Sequence, residues 1–129
     1  MNQEWTVQYY FTSSGKRPFK EWHDGLDPSL QDKIDAYITR IRAGHFKNCK
    51  PLKGIPDIYE LVMDFGPGYR VYYARAGKVI LLLLCGGIKK TQKSDIETGV
   101  EYLEDFKRRR AAGTYDDPGI TGETNEKNN

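Results

Sequence analysis

Arg70 and a group of lysines are placed where they could do chemistry together. Arg70 sits between aromatic residues in GPGYRVYY, directly after a Gly-Pro-Gly turn. Lys89, Lys90 and Lys93 follow the apolar run VILLLLC in the segment GGIKKTQK. An arginine presents a planar fork whose parallel donors engage two acceptor oxygens at once, and ammonium groups add compact charge beside it. If the fold brings them together, these cations suit a phosphate backbone. The blander readings are an Arg70–Asp64 ion pair across a hairpin and lysines in a solvated loop.

Other segments bear on the same chemistry. NCKPLKGIP contributes Lys50 and Lys53, and Glu60 is a carboxylate close to this basic group. From Arg40 to Lys93 there are eleven Lys and Arg against three acids, although the whole chain of 129 residues carries only +2. A basic body of this kind attracts nucleic acid or acidic protein partners. The KRRR run near the end of the chain reads as a solvated helix end. His23 and His45 have no partner at metal-ligand spacing, so no metal is expected. Phosphate-cradling glycine loops and Ser or Cys nucleophile motifs are missing from the sequence. Cys49 and Cys85 stand alone, which fits a reduced cytoplasmic setting, with Cys85 a small buried hydrophobe. The opening MNQEWTVQYY does not resemble a signal peptide.

The elements that must position these residues follow from periodicity. TVQYYFT alternates as a strand, with Val7, Tyr9 and Phe11 on one face. Pro18 opens a short helix with a stripe of Phe19, Trp22 and Leu26. Asp27-Pro28 opens a longer one burying Leu30, Ile34, Tyr37, Ile38 and Ile41. HFKNCKPLKGIPD reads as a loop. Strands over 58–65, 69–75 and 78–85 form an antiparallel meander, the last apolar on both faces and so covered on both sides or central. A final helix begins at Ser94, capped by Ser94 and Glu97, and buries Ile96, Val100, Leu103 and Phe106, with Gly113 as its terminator. The sum is an α+β domain over 1–112. It has an antiparallel sheet of about four strands, two N-terminal helices and a C-terminal helix, with the helices on one face of the sheet. Residues 113–129 are expected to be a polar, acidic, disordered tail.

Register decides which face Arg70 occupies. A three-residue Gly-Pro-Gly loop sets Phe65 opposite Tyr69. Leu61, Met63, Phe65, Tyr69, Val71 and Tyr73 then lie under the helices. Glu60, Val62, Asp64, Arg70, Tyr72 and Ala74 form a mixed, partly open face.

The ordered set KPLKGIPDIYEL, GPGYRVYY and LLLCGGIKKTQKSDI, with the helix that follows, resembles the RelE/ParE superfamily of type II toxin–antitoxin toxins, and within it the HigB-like addiction module killer group. The likeness covers about Thr6 to Lys107. It implies a RelE-like fold and a ribosome-associated mRNA endonuclease held in check by an antitoxin, commonly a helix-turn-helix protein. By this resemblance Arg70 stabilises the scissile phosphate, and Lys89 or Lys90 stands in the place of the basic residues after the last strand's glycine. The chain departs from RelE in having Glu60 and Val62 where RelE has lysines, and Ile96 where it has a tyrosine. RNA supplies its own nucleophile, the 2′-hydroxyl, so neither metal nor cofactor is required. The protein must align the 2′-oxygen, remove its proton, neutralise phosphoryl charge and protonate the leaving 5′-oxygen. On this reading Arg70, Glu60 and Lys90 form the catalytic set, with Glu60 as general base. Lys50, Lys53, Lys89 and Lys93 grip RNA, and Tyr72 stacks on a base. A structural Glu60 paired with a lysine and a tyrosine used only for packing are the competing assignments. A gyrase-inhibiting ParE-like protein and a non-catalytic RNA-binding relative are the competing functions.

Overall fold

The structure is a computed structural model that describes residues 4–115. The elements run β1 (Thr6–Tyr9), α1 (Pro18–Asp24), α2 (Pro28–Arg42), β2 (Cys49–Pro51), β3 (Ile58–Met63), β4 (Tyr69–Ala76), β5 (Ile80–Ile88) and α3 (Gln92–Ala111). A single 3-10 turn, Lys89–Thr91, joins β5 to α3. The strands form one sheet in the order β1-β5-β4-β3-β2.

The expected meander β3-β4-β5 is present, but the sheet is larger and mixed. β1 runs parallel to β5, with Val7 opposite Leu81. β2, expected as loop, pairs antiparallel with β3 at the other edge. Three residues that include a lysine and a proline make a short, blunted edge, which is how an exposed edge strand resists further pairing.

The helices lie on both faces rather than one. Phe19, Ile34 and Ile41 from α1 and α2 pack with Leu61, Met63, Val71, Tyr73, Leu81 and Leu83. Leu103 and Phe106 from α3 pack on the opposite face with Tyr72, Ala74, Leu82, Leu84 and Tyr10. This explains the uniform greasiness of β5: Leu81 and Leu83 face one layer while Leu82 and Leu84 face the other, all of them buried. A Leu→Ala change in either row would cost about 2–5 kcal/mol.

Two adjacent glycines let both layers close on β5. A side chain at Gly86 would put its Cβ 2.3 Å from the Trp22 ring, and one at Gly87 would put it 1.9 Å from Asp95 Oδ2. Trp22 of α1 therefore lies flat on one face, and the first turn of α3 rests on the other.

At its far end α3 closes as expected at Gly113, which takes φ +73°. The amides of Gly113 and Thr114 bond the carbonyls of Arg110 and Arg109, the paired arrangement of a Schellman stop. Gly113 to Tyr115, assigned to the tail from sequence, belong to the folded body: Tyr115 stacks on Phe11 at 4.1 Å between centroids. The rest of that tail, 116–129, lies outside the described residues. The KRRR run is absorbed into this end. Lys107 pairs with Asp57, Arg108 and Arg109 with Asp105, and Arg110 lies over the Phe106 ring.

Candidate functional site

The β3–β4 connection is a five-residue turn, 64–68, so that Met63 rather than Phe65 faces Tyr69. The slip is of two residues. Side-chain parity survives it, and Glu60, Arg70 and Tyr72 share a face as expected. Two things change. Val62, not Asp64, stands opposite Arg70, and α3 covers this face, which leaves Arg70 8% exposed and Glu60 1%.

A buried carboxylate needs partners, and Glu60 has several. Gln92 of α3 donates to its Oε2 at 2.5 Å, and the Tyr72 hydroxyl donates to the same oxygen at 3.2 Å. Arg70 Nε lies 3.5 Å from Oε2, and Lys50 Nζ, on the mostly exposed side chain opposite in β2, lies 3.8 Å from Oε1. Burial, reinforced by the Glu60 charge, holds the Tyr72 phenol far above its ordinary pKa, so it remains a neutral donor.

Arg70 is confined by burial but makes few hydrogen bonds. Its Nη1 donates to Tyr69 O at 3.3 Å, while Nε, though buried, is without a hydrogen-bond partner. The contact with Glu60 is thus electrostatic, and most of the fork's five donors stay uncommitted. The lysine end of β5 closes against the same corner. The Lys89 amide donates to Gly68 O at 2.8 Å. Gly68, at φ +79°, leaves a gap in which Arg70 Nη1 and Lys89 Cβ each lie 3.2 Å from where its Cβ would stand. Arg70 and Lys89 therefore border the same small gap beside Gly68. The exposed Lys90 and Lys93 continue from it along the 3-10 turn and the start of α3.

Several sequence-based assignments change. Glu60, expected as an accessible general base, is instead 1% exposed beneath α3, with Gln92 and Tyr72 on Oε2 and Lys50 near Oε1. Tyr72 is fully buried, so no base can stack on it. Lys53 leaves the group, since β2 runs toward the Ile58 end of β3, where Leu52 N–H bonds Ile58 O, away from Arg70. The helix starts at Gln92, not Ser94, whose hydroxyl donates to Thr91 O.

Gln92, Thr91 and Asp95 were not singled out from sequence. Thr91 Oγ1 donates to Asp95 Oδ2 at 2.5 Å, fixing the first turn of α3 over Gly87. The one available sign was the second glycine of the Gly86-Gly87 pair, since a glycine inside a strand marks a close approach.

This arrangement, a cation-bearing hairpin and a β5 corner under a long C-terminal helix, can be compared with known proteins. The model of the family described as phage derived protein Gp49-like (DUF891) matches residues 21–100, well over half of the chain. The chain belongs to this family. Gp49-like proteins are a RelE-like toxin family, and membership of it puts the chain in the RelE/ParE superfamily. A double-mutant form of the E. coli toxin RelE in the free state superposes with a TM-score of 0.55 at 16% identity, over 76% of this chain and 95% of that one. An uncharacterized protein of Haemophilus influenzae is 45% identical over 65 residues. That match takes in half of this chain and 64% of the Haemophilus protein, under two thirds of its length. The matched family segment contains β2 to β5 and the start of α3, and with them every residue of the Glu60–Arg70 site.

Proposed function

We propose that this Gp49-like protein is the toxin of a type II toxin–antitoxin pair and cleaves mRNA on the ribosome. The observation that carries the reading is the Arg70 fork, backed by a buried carboxylate, largely uncommitted, and set beside Lys89 at the Gly68 gap, the hollow that RNA would enter.

The 2′-hydroxyl of RNA attacks the adjacent phosphorus, and the P–O5′ bond breaks to leave a 2′,3′-cyclic phosphate and a 5′-hydroxyl. Arg70 meets the phosphoryl oxygens, where two parallel N–H donors match two acceptors as negative charge grows. Glu60 orients Arg70. Lys89 and Lys90 add positive potential over the reacting phosphate, and Lys50 and Lys93 hold the backbone on either side. Dependence on the ribosome suits a site whose carboxylate is roofed by Gln92 in the free chain. A ribosome-held codon would be presented to the hollow in a fixed pose, and positioning supplies much of the rate. The antitoxin is proposed to be a small helix-turn-helix protein that masks the basic surface. Action on ribosomes implies the cytoplasm, and no helix among the described residues is long and apolar enough to cross a membrane.

Induced expression with mapping of mRNA 5′ ends, with and without translation, tests the reading. The expected result is growth arrest with new 5′ ends inside translated codons, both lost in Arg70→Ala. A folded Arg70→Ala protein that is still fully toxic would remove Arg70 from the mechanism. Stalled replication with intact mRNA would replace the nuclease with a gyrase inhibitor.

A further inference from the structure

On the opposite side of the β2 edge from Glu60 lies a depression of about 370 Å³, lined by Arg40, His45, Lys47, Tyr37 and Asn48 over the apolar floor of Ile41 and Leu61. Its cations are Arg40, on the last turn of α2, and Lys47, in the turn closed by the Cys49 amide on Phe46 O, with the His45 ring on the segment between them. No acid lines it. Among the described residues neither Arg40 nor Lys47 has a carboxylate within ion-pair distance. The Arg40 guanidinium lies 4.8 Å over the Tyr37 ring, which orients it without neutralising it.

The position of this depression relative to Arg70 gives it meaning. Asn48 O accepts from Val62 N–H at 2.9 Å, Val62 faces Arg70, and Arg70 faces Gly87. Asn48, just before β2, thus continues a backbone row through Val62, Arg70 and Gly87, about 14 Å wide at the usual strand spacing, with the Arg70 side chain on the α3 face and the depression on the α2 face. A chain leaving the Arg70 corner past the exposed Lys50 would round the β2 edge to reach the Lys47–Asn48 turn.

We propose that this depression is a phosphate subsite for single-stranded RNA, holding the backbone as it leaves the Arg70 hollow over the β2 edge. The inference rests on the RNA reading of the Arg70 site and extends it to a second contact. The cavity is of the size that takes a nucleotide. Arg40 and Lys47 bind phosphate oxygens, and the Asn48 amide and His45 ring supply hydrogen-bonding groups beside them.

The test uses the full chain and its Arg40→Gln/Lys47→Gln variant, whose residues are exposed and take no part in the proposed chemistry. The probe is a fluorescent single-stranded RNA made uncleavable by 2′-O-methylation, titrated at several salt concentrations. Two lost phosphate contacts should lower the slope of log affinity against log salt by about 1.4. An unaltered slope overturns the subsite, and if the wild type still cleaves translated mRNA on ribosomes the nuclease reading survives it. A wild type that binds the probe but never cleaves translated mRNA on ribosomes removes the nuclease and leaves the subsite. A loss confined to a duplex ribosomal RNA hairpin, or to an acidic peptide, overturns the single-strand assignment.

Discussion

Replacing Glu60 by glutamine tests whether this carboxylate is the electrostatic anchor of Arg70. The substitution keeps shape and can still accept from Tyr72 and Gln92, so what it removes is charge. Two cations lose an ion-pair partner. Lys50 has a side chain that is 65% exposed, so its share is screened and worth at most about 1 kcal/mol. Arg70 has a side chain only 9% exposed, and its nearest approach to Glu60 is 3.5 Å. Leaving such a cation without its partner costs about 3–5 kcal/mol, and the absence of a hydrogen bond at Nε argues for the lower end, about 3 kcal/mol. In a domain of this size that lowers Tm by about 12 °C. Arg70→Met should cost less, because Glu60 keeps Gln92, Tyr72 and Lys50. Adding Arg70→Met to Glu60→Gln should therefore restore at least about 2 kcal/mol, measured by urea unfolding of wild type, both single variants and the double. Losses that add within about 0.5 kcal/mol would refute the coupling, and with it the role given to Glu60.

Gly87→Ala should destabilise the fold by about 1–3 kcal/mol, since a Cβ there would stand 1.9 Å from Asp95 Oδ2 and the Asp95 side chain in the first turn of α3, with its bond from Thr91, must shift. Cleavage should fall further than stability alone explains, because the same turn carries Gln92; normal kinetics in a destabilised variant would separate α3 from the site. Asp105 gives a pH dependence. Burial raises its pKa, but hydrogen bonds from Tyr10 and Arg109 outweigh this and hold it below the ordinary value. Its stabilisation is therefore complete above an unfolded pKa of about 3.9 and fades as pH falls through the lower folded value. Unfolding of Asp105→Asn should show a flatter acid limb than wild type, with about 1–2 kcal/mol lost at neutral pH. Identical limbs would contradict this.

Local periodicity made part of the fold legible. The α2 stripe, the two-faced β5 and the α3 stripe each reported their own burial, and all three pack as read. Parity around the Gly-Pro-Gly turn came through a wrong loop length because the error was an even number of residues. What failed was choice between distant partners. Nothing in TVQYYFT specifies pairing alongside β5, and Cys-Lys-Pro is too short for a period to show. An amphipathic helix announces that it packs but not on which face, so the Glu60–Arg70 face was read as open. Gln92 was overlooked because a glutamine at a polar helix start is indistinguishable from a solvated one until its partner is known.

That single placement of α3 decides the chemistry of the site. On an open face Glu60 would be a titrating carboxylate beside RNA, and Arg70 a flexible surface cation. Beneath α3 the carboxylate is spent on two donors, and the arginine it attracts loses its freedom to swing. Water is also excluded from between them, which strengthens the field the guanidinium feels and that any phosphate entering the hollow would feel in turn. A fork fixed before the substrate arrives need not be reorganised as charge develops, and that is the condition under which a few donors contribute most to a transition state. Gln92→Ala would therefore act through Arg70. Glu60 retains Tyr72 and Lys50, so stability should fall by only about 1 kcal/mol. A looser fork should lower kcat more than it raises KM, and equal losses in both would place Gln92 on the binding side of the reaction instead.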